Sequence, residues 1–408
     1  MKIALIYDRV YPWLKGGGEK TLWDIACQLR ELGHEVHYFG TKLWDGNDRI
    51  VRDGIVLHGV SRRAKFYNAD GRRSIFQPLI FSAGLFRGLW RMRNADFNLI
   101  NCTVFPFFSV FAVWLFRALS RRRIPWVLTW LEVWGAHYWR EYLGSNVAGA
   151  IGYAIEWVCA RCCAEHLVIS LLHARRMSAL LGVDPDRIHV IARGTDIKKI
   201  SSLSKSIPKQ RRVLYVGRLL PYKNVETVVR AWPLIVQRFP EVKLRIIGAG
   251  PSGEELAAIA RASKIDIELF PPHENWDEII REIAAAEVLV QPSIREGQSV
   301  VAIEAMAART VVIAARHQES AVSDFIRHGD NGLLIDDWNN PQTWAAAITL
   351  LLNDADERAR LAQAALHTAA RFDWNTRLVP QLSMFFTQLA SAGKCEREIS
   401  DTPCPARH

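Results

Sequence analysis

The chain has 408 residues and a formal net charge of +10, with 50% hydrophobic and 23% charged residues. That balance excludes a disordered or fibrous chain, and the length exceeds what one hydrophobic core usually supports, so two domains of about 200 residues are expected. The basic excess suits nucleic acid, anionic lipid or a phosphorylated substrate.

In chain order, MKIALIYDRVYPW passes directly into an apolar run with turn residues behind it and no small-residue cleavage site, so it reads as a strand and not as an export signal. In YPWLKGGGEKTLWDIACQL, Gly16 to Gly18 close the loop after this strand and open a helix over 19–32. Glycines let backbone N–H groups approach a ligand and a helix start attracts anions, so Gly17 and Gly18 are candidates for phosphate contact; a flexible turn is the alternative.

The strands HEVHYFG, NLINCT, WVLTW, EHLVIS and IHVIARG follow, with a helix over 171–181. Between residues 61 and 123 basic clusters (Arg62, Arg63, Lys65, Arg72, Arg73, Arg87, Arg91, Arg93, Arg121 to Arg123) interleave with Phe and Trp in QPLIFSAGLFRGLWRMR. This segment reads either as a helix lying on an anionic membrane surface or as a solvated face over a core. The charge-free run from Leu99 to Phe116 is broken by Pro106, so a strand and then a buried helix are expected there in place of a membrane span. Seven cysteines, with only Cys159, Cys162 and Cys163 close together, form neither a disulfide framework nor a paired zinc spacing. A reduced, cytoplasmic setting is expected, and the triplet is either a metal site or three small buried residues.

The serine-rich SSLSKSIPKQRR reads as a linker near 200–211, which separates a domain over 1–200 from one over 212–372. The second half repeats the pattern in RRVLYVGR, VKLRIIGAG, IDIELF, EVLVQPS and TVVIAAR. The fold class is therefore α/β, two Rossmann-like parallel-sheet domains facing across a cleft, with ligand at the carboxyl ends of the strands. A helix over 373–391 is expected to pack toward the first domain, and 392–408 to form a loose tail.

Two motifs of the second half carry candidate chemistry. In VGRLLPYKNVETVV, Arg218 ends a strand and Lys223 follows five residues later, so two cations converge where they could neutralise a leaving diphosphate; a surface Arg and Lys paired with acids is the alternative. In QPSIREGQSVVAIEAMAART, Glu296 lies in a loop and Glu304 about two turns into a helix. Eight residues overshoot two turns by about 80 degrees, so a partly unwound helix start is needed to aim both acids at one ligand. The N–H groups from Gln298 to Val301 would be free at that start, and carboxylates suit sugar hydroxyls.

A glycine-rich first loop, GRL with a lysine five residues past the arginine, IIGAGP and two glutamates eight positions apart occur together and in this order. The set resembles the retaining, nucleotide-sugar-dependent glycosyltransferases of family 4, which have the GT-B fold, over residues 1 to about 390. QLRELGHEVHYFG, HLVISLLHARRMSALLGV, VLVQPSIREG and DNGLLI are similar to the family in their positions. The resemblance implies that Arg218 and Lys223 hold the donor diphosphate. It also implies that Glu304 binds the ribose, that Glu296 contacts the transferred sugar, and that Gly17, Gly18, Gly297, Gln298, Ser299 and Val300 line the donor. Transfer with retention and without a metal or other cofactor is implied, through a short-lived ion pair in which the leaving phosphate helps deprotonate the acceptor.

The chain departs from the family at several positions. Gly297-Gln298-Ser299 stands where Gly-Phe-Gly is usual, so Ser299 must reach its backbone geometry with a side chain attached. Leu131 stands where many members have a histidine that orients the sugar, and Glu132 or His137 are the candidate substitutes on the acceptor side. Arg193-Gly194-Thr195-Asp196 replaces the usual Asn-Gly-Val-Asp, and RHQES precedes the position of the family's later acid, here Glu319. The leading expectation is a transferase using a UDP- or GDP-sugar, with a saccharide or lipid-linked acceptor in glycan or envelope polysaccharide synthesis. It would contact the anionic inner membrane face and no nucleic acid. The alternatives are a degenerate member acting as a nucleotide- or membrane-binding scaffold, and an epimerase or phosphorylase on the same architecture.

Overall fold

The computed structural model describes residues 1–14, 16–63, 66, 74, 76–120, 122 and 124–401, with 393–401 as backbone. Lys65, Arg72, Arg73, Arg121 and Arg123 of the basic stretch lie outside the described residues. The chain forms two compact units: Met1–Ile169 with His173–Ile191 and the chain from Val379, and Ser170–Leu172 with Ala192–Leu378.

Through residue 191 the elements are β1 (Lys2–Ile6), α1 (Gly17–Glu31), β2 (Glu35–Thr41), β3 (Arg49–Arg52), β4 (Ile55–Ser61), α2 (Phe76–Arg91), β5 (Leu99–Thr103), α3 (Phe108–Ser120), β6 (Trp126–Trp130), α4 (Gly135–Leu143), α5 (Asn146–Cys162), β7 (His166–Val168), α6 (Leu171–Leu181) and β8 (Ile188–Val190). They build one sheet of order β3-β4-β2-β1-β5-β6-β7-β8. Its pairs are parallel except β3 with β4. That antiparallel hairpin is an addition to the strands read from the sequence. Its turn residues Asp53 and Gly54 have φ of 50° and 75°, the positive pair that an Asp-Gly hairpin turn requires. The run from Leu99 divides into β5 and α3, and no helix among the described residues is long and apolar enough to cross a membrane. Of the cysteine triplet, Cys159 and Cys163 are buried and donate to the Phe107 and Trp126 carbonyls. Among the described residues no three His, Cys, Asp or Glu side chains are grouped to hold a metal ion.

The second unit continues with α7 (Ile197–Ser204), β9 (Gln210–Val216), α8 (Val225–Val236), β10 (Lys243–Ile247), α9 (Gly253–Ala262), β11 (Ile267–Phe270), α10 (Trp276–Ala285), β12 (Ala286–Gln291), β13 (Arg295–Glu296), α11 (Val300–Ala307), β14 (Val311–Ala315), β15 (Glu319–Ser320), β16 (Leu333–Ile335), α12 (Pro341–Asn353) and α13 (Ala355–Ala369). Its sheet has the order β11-β10-β9-β12-β14-β16, all parallel. Successive residues of a strand face opposite sides, so a strand covered on both sides must be apolar throughout. Val213 and Tyr215 of β9 accordingly enter one core and Leu214 and Val216 the other, and β14 divides in the same way.

Two boundaries differ from the sequence reading. The segment 200–211, expected as a linker, lies inside the second unit, because Asp196 caps α7 through the Lys199 N–H and its apolar residues Ile197 and Ile200 are buried. The segment from 392, expected as a tail, continues α14 (Val379–Asp401) as backbone to Asp401. α14 packs on α1 and β5 of the first unit. At the other connection Thr195 and Asp373 form a parallel bridge, and a Cβ on Gly194 would come within 2.6 Å of the Phe372 carbonyl oxygen, so only glycine fits there.

Candidate active site

In the second unit the candidate residues sit at the carboxyl ends of β9 and β12, where a parallel sheet leaves its loops free to bind. β9 ends one residue before Gly217, and Arg218 follows with an exposed side chain that donates to the Tyr222 hydroxyl at 3.1 Å. The Arg218 carbonyl accepts from the buried Tyr215 hydroxyl at 2.9 Å, which anchors the turn from below. Burial, followed by the nearby Glu296 carboxylate, pushes the Tyr215 phenol well above its ordinary range, so it remains a donor.

Pro221–Lys223 forms one tight turn, and Asn224 closes it with φ of 53° before α8 begins. The Ile294 N–H donates to the Tyr222 carbonyl and ties this turn to the β12–β13 loop. These constraints aim Lys223 at Glu296: Nζ and Oε2 lie 2.5 Å apart, with side-chain exposures of 12% and 15%. Gln291 at the end of β12 donates from Nε2 to the same carboxylate at 3.2 Å and to Ser293 at 2.8 Å. Glu296 is also held through its backbone, since β13 pairs in parallel with β15 and sets Glu296 opposite Ser320 and Arg295 opposite Glu319. The result is a carboxylate held between an ammonium and an amide, with the Arg218 guanidinium on the adjoining strand end.

The start of α11 is built differently from the family pattern. Ser299 has φ of −82°, which any residue adopts, so its side chain brings no backbone strain, and its Oγ caps the helix by accepting from the Ala302 N–H. Gln298 is buried and grips the backbone of one residue of the chain after β8: Oε1 accepts from the Arg193 N–H at 2.6 Å and Nε2 donates to the Arg193 carbonyl at 2.7 Å. A Phe at this position could make neither bond. Val300 opens the helix, and Glu304, one turn on, is buried. Its Oε1 accepts from the Trp276 indole at 2.7 Å and from the Thr195 hydroxyl at 3.5 Å. Lys223, Glu296 and Gln291 thus form one cluster, and Glu304, Trp276 and Thr195 another.

In the first unit Gly17 and Gly18 open α1. A Cβ on Gly18 would lie 3.4 Å from both Leu131 Cδ1 and the Tyr7 hydroxyl. The glycine loop after β1 therefore lies against Leu131, the residue standing in the histidine position after β6. Glu132 is exposed and accepts from the Trp134 indole at 2.7 Å; His137 is exposed in the first turn of α4. The residue that shapes this loop is Glu156, which the sequence reading passed over. Its buried carboxylate accepts from the Trp134 and Gly135 N–H groups and the Trp139 indole at 2.7 to 2.9 Å. Burial raises its pKa although these three donors oppose the shift. A lone acid inside the otherwise apolar AGAIGYAIEWVCA was the available signal.

The chain also carries two Asp-x-Asp sequences, a pattern that can hold a metal on a diphosphate. Both cap helices: Asp184 accepts from the Asp186 N–H and Asp354 from the Glu357 N–H.

Residues 196–368 match the family described as Glycosyl transferases group 1, and residues 16–194 that described as Glycosyl transferase 4-like domain. The D-inositol 3-phosphate glycosyltransferase of Corynebacterium glutamicum is 32% identical over 96% of this chain and 98% of its own. The chain belongs to the family 4 glycosyltransferases. Another D-inositol 3-phosphate glycosyltransferase, from Corynebacterium urealyticum, is 33% identical over 92% of both chains. Among solved structures, sucrose-phosphate synthase from Thermosynechococcus elongatus superposes with a TM-score of 0.77 at 20% identity, covering 96% of this chain and 99% of that one. HepE from Anabaena, in complex with UDP and glucose, gives 0.69 at 20% identity over 96% and 100%. The transferase therefore has the GT-B fold, and the reading as a non-catalytic scaffold is not favoured.

Proposed function

We propose that this transferase moves a glycosyl group from a UDP- or GDP-sugar to a saccharide or lipid-linked acceptor, with retention at the anomeric carbon and without a metal ion. The observation that carries the proposal is the Lys223–Glu296 contact beside Arg218, which sets two cations and a carboxylate at adjoining strand ends. In this reading the two cations hold the donor diphosphate. As the bond from the anomeric carbon to the phosphate oxygen breaks, they neutralise the charge that develops on the leaving group. The acceptor oxygen bonds the same carbon on the same face and its proton passes to the leaving phosphate, so no protein base is required. Glu296 contacts the transferred sugar, and Glu304 accepts from the ribose hydroxyls. Gly297 and the N–H groups of Gln298, Ser299 and Val300 face the phosphates. Support for a nucleotide-sugar donor comes from HepE, solved with UDP and glucose.

The test is thermal unfolding with a panel of UDP-, GDP- and ADP-sugars, for wild type and Glu304→Ala. A donor at a hundred times its Kd adds about 2.7 kcal/mol, and the variant should lose that shift. With the donor so identified, Arg218→Ala should lower turnover by about 10² to 10³. Product anomeric configuration and turnover in EDTA check retention and metal independence. Wild-type turnover in Arg218→Ala, an inverted product or loss of turnover in EDTA would each refute the corresponding part.

A further inference from the structure

We propose that Trp276 and Thr195 are positioning residues that aim the Glu304 carboxylate at the ribose hydroxyls of the donor nucleotide. The inference rests on the reading above in which Glu304 accepts from the ribose, and it adds the two side chains on which that acceptance depends.

α11 sets the requirement. Ala302, Ile303, Ala305, Met306 and Ala307 around Glu304 are buried and apolar, so a carboxylate on this helix needs donors from outside it. α11 packs on α7 and α10, and the starts of those two helices bring the donors. Trp276 is the first residue of α10, and its indole donates to Oε1 at 2.7 Å; Thr195, just before α7, donates its hydroxyl to the same oxygen at 3.5 Å. α10 follows β11, whose carboxyl end lies on the same edge as those of β9 and β12, so Trp276 stands on the ligand side of the sheet.

Each donor is itself fixed. Thr195 lies in the bridge to Asp373, where its N–H donates to the Phe372 carbonyl at 3.2 Å and its carbonyl accepts from the Trp374 N–H at 3.0 Å. Gln298 holds the Arg193 backbone on the same stretch. Trp276 follows directly on Asn275, whose side chain caps α10 by accepting from the Asp277 N–H at 3.0 Å. Lys199 of α7 reaches over the Trp276 ring at 5.2 Å and pairs with Asp277 at 2.6 Å. The indole is thus held at its face while its N–H, the ring's one polar group, points at Glu304.

The chemistry of the two donors fits a binding role. For packing alone, an acid and its donors gain little over apolar side chains of the same shape. Both donors are neutral, so they orient the carboxylate without taking its charge, whereas Glu296 faces the Lys223 ammonium. A carboxylate that keeps its charge is the stronger acceptor for a hydroxyl. Both donors also converge on one oxygen. Fixing Oε1 fixes the plane of the group, and with it the directions in which its lone pairs meet a ligand. The rotamer freedom of Glu304 is then lost on folding and not on binding.

Titration calorimetry on the full chain, with UDP, GDP and ADP and the dideoxy form of each, which lacks both ribose hydroxyls, is the test. Wild type should prefer the ribose form of its nucleotide by about 10²-fold, the worth of hydrogen bonds to a charged acceptor, and Glu304→Ala should remove that preference. Trp276→Phe keeps a ring and loses the N–H. It should weaken the ribose form about five-fold, the cost of ordering one side chain on binding, and leave the dideoxy form unchanged. Thr195→Val should act in the same sense with a smaller effect, because its bond is the longer one. A merely structural role would weaken both forms alike and lower the unfolding temperature of the free variant. Equal losses for the two forms in Trp276→Phe therefore overturn the proposal. So does equal or tighter binding of the ribose form, since the indole would then compete with the ribose for the carboxylate. If Glu304→Ala removes the preference and Trp276→Phe leaves it intact, the positioning role falls alone and the ribose contact stands. If Glu304→Ala leaves the preference intact, or wild type binds none of the three nucleotides, the ribose contact is wrong and the positioning role falls with it.

Discussion

Lys223→Met separates a catalytic role for the ammonium from a structural one. Removing one member of a buried ion pair costs about 3–5 kcal/mol, because the other charge is left without compensation. Glu296 retains the Gln291 amide at 3.2 Å, and both side chains keep some contact with water, at exposures of 12% and 15%. About 2 kcal/mol is therefore expected, which lowers the Tm of a unit of this size by about 4–8 °C. Glu296→Gln in the same chain removes the stranded charge and should restore most of that stability. Turnover should behave differently. If Lys223 neutralises the leaving diphosphate, its loss costs about 10² to 10³ in kcat, and the second substitution cannot restore it. Thermal unfolding and release of nucleoside diphosphate, measured on the wild type, both single variants and the double variant, give the comparison. A Lys223→Met protein that is destabilised but turns over at the wild-type rate would refute the catalytic assignment, and the pair would be a structural clasp.

Other consequences follow from the same geometry. Gln298→Ala removes both amide bonds to the half-buried Arg193 backbone, so a loss of about 2 kcal/mol is expected in urea denaturation. A change below about 0.5 kcal/mol would mean that water replaces the amide there. His58 stacks on His37, and its pKa is pushed down to about 3 by burial and then by His37, while His37 is also lowered by burial. His58 is thus neutral in the fold but takes a proton in the unfolded chain below about 6.5, so stability is lost as the pH falls from about 6.5 toward 3. The slope from His58 is at most about 1.4 kcal/mol per pH unit, and its partial exposure reduces it. Urea midpoints at pH 7 and pH 5 should differ more in wild type than in His58→Leu; equal pH slopes in the two proteins would remove His58 as the cause.

Much of the fold was legible because a buried parallel strand must be apolar on both sides, as in RRVLYVGR and TVVIAAR, and the helices between such strands keep their own period. Boundaries were less legible. SSLSKSIPKQRR reads as a linker by composition, yet the cap at Asp196 and the burial of Ile197 and Ile200 make its first residues part of a helix in the second unit. The hairpin at Asp53-Gly54 carried an adequate turn signal inside two short edge strands that composition alone did not mark.

Local sequence determined the residue types at the site and their places on strand ends and helix starts, because hydrophobic period and turn chemistry act over a few residues. Arg218, Lys223, Glu296 and Glu304 were named on that basis. Only tertiary structure decided their partners. Lys223 meets Glu296 across 73 positions, Gln298 holds Arg193 across 105, and Glu304 reaches Thr195 across 109. Those pairings are set by which strands lie next to each other in the sheet, and strand order depends on how whole apolar faces are buried together. That is a property of the folded unit and of no short stretch within it.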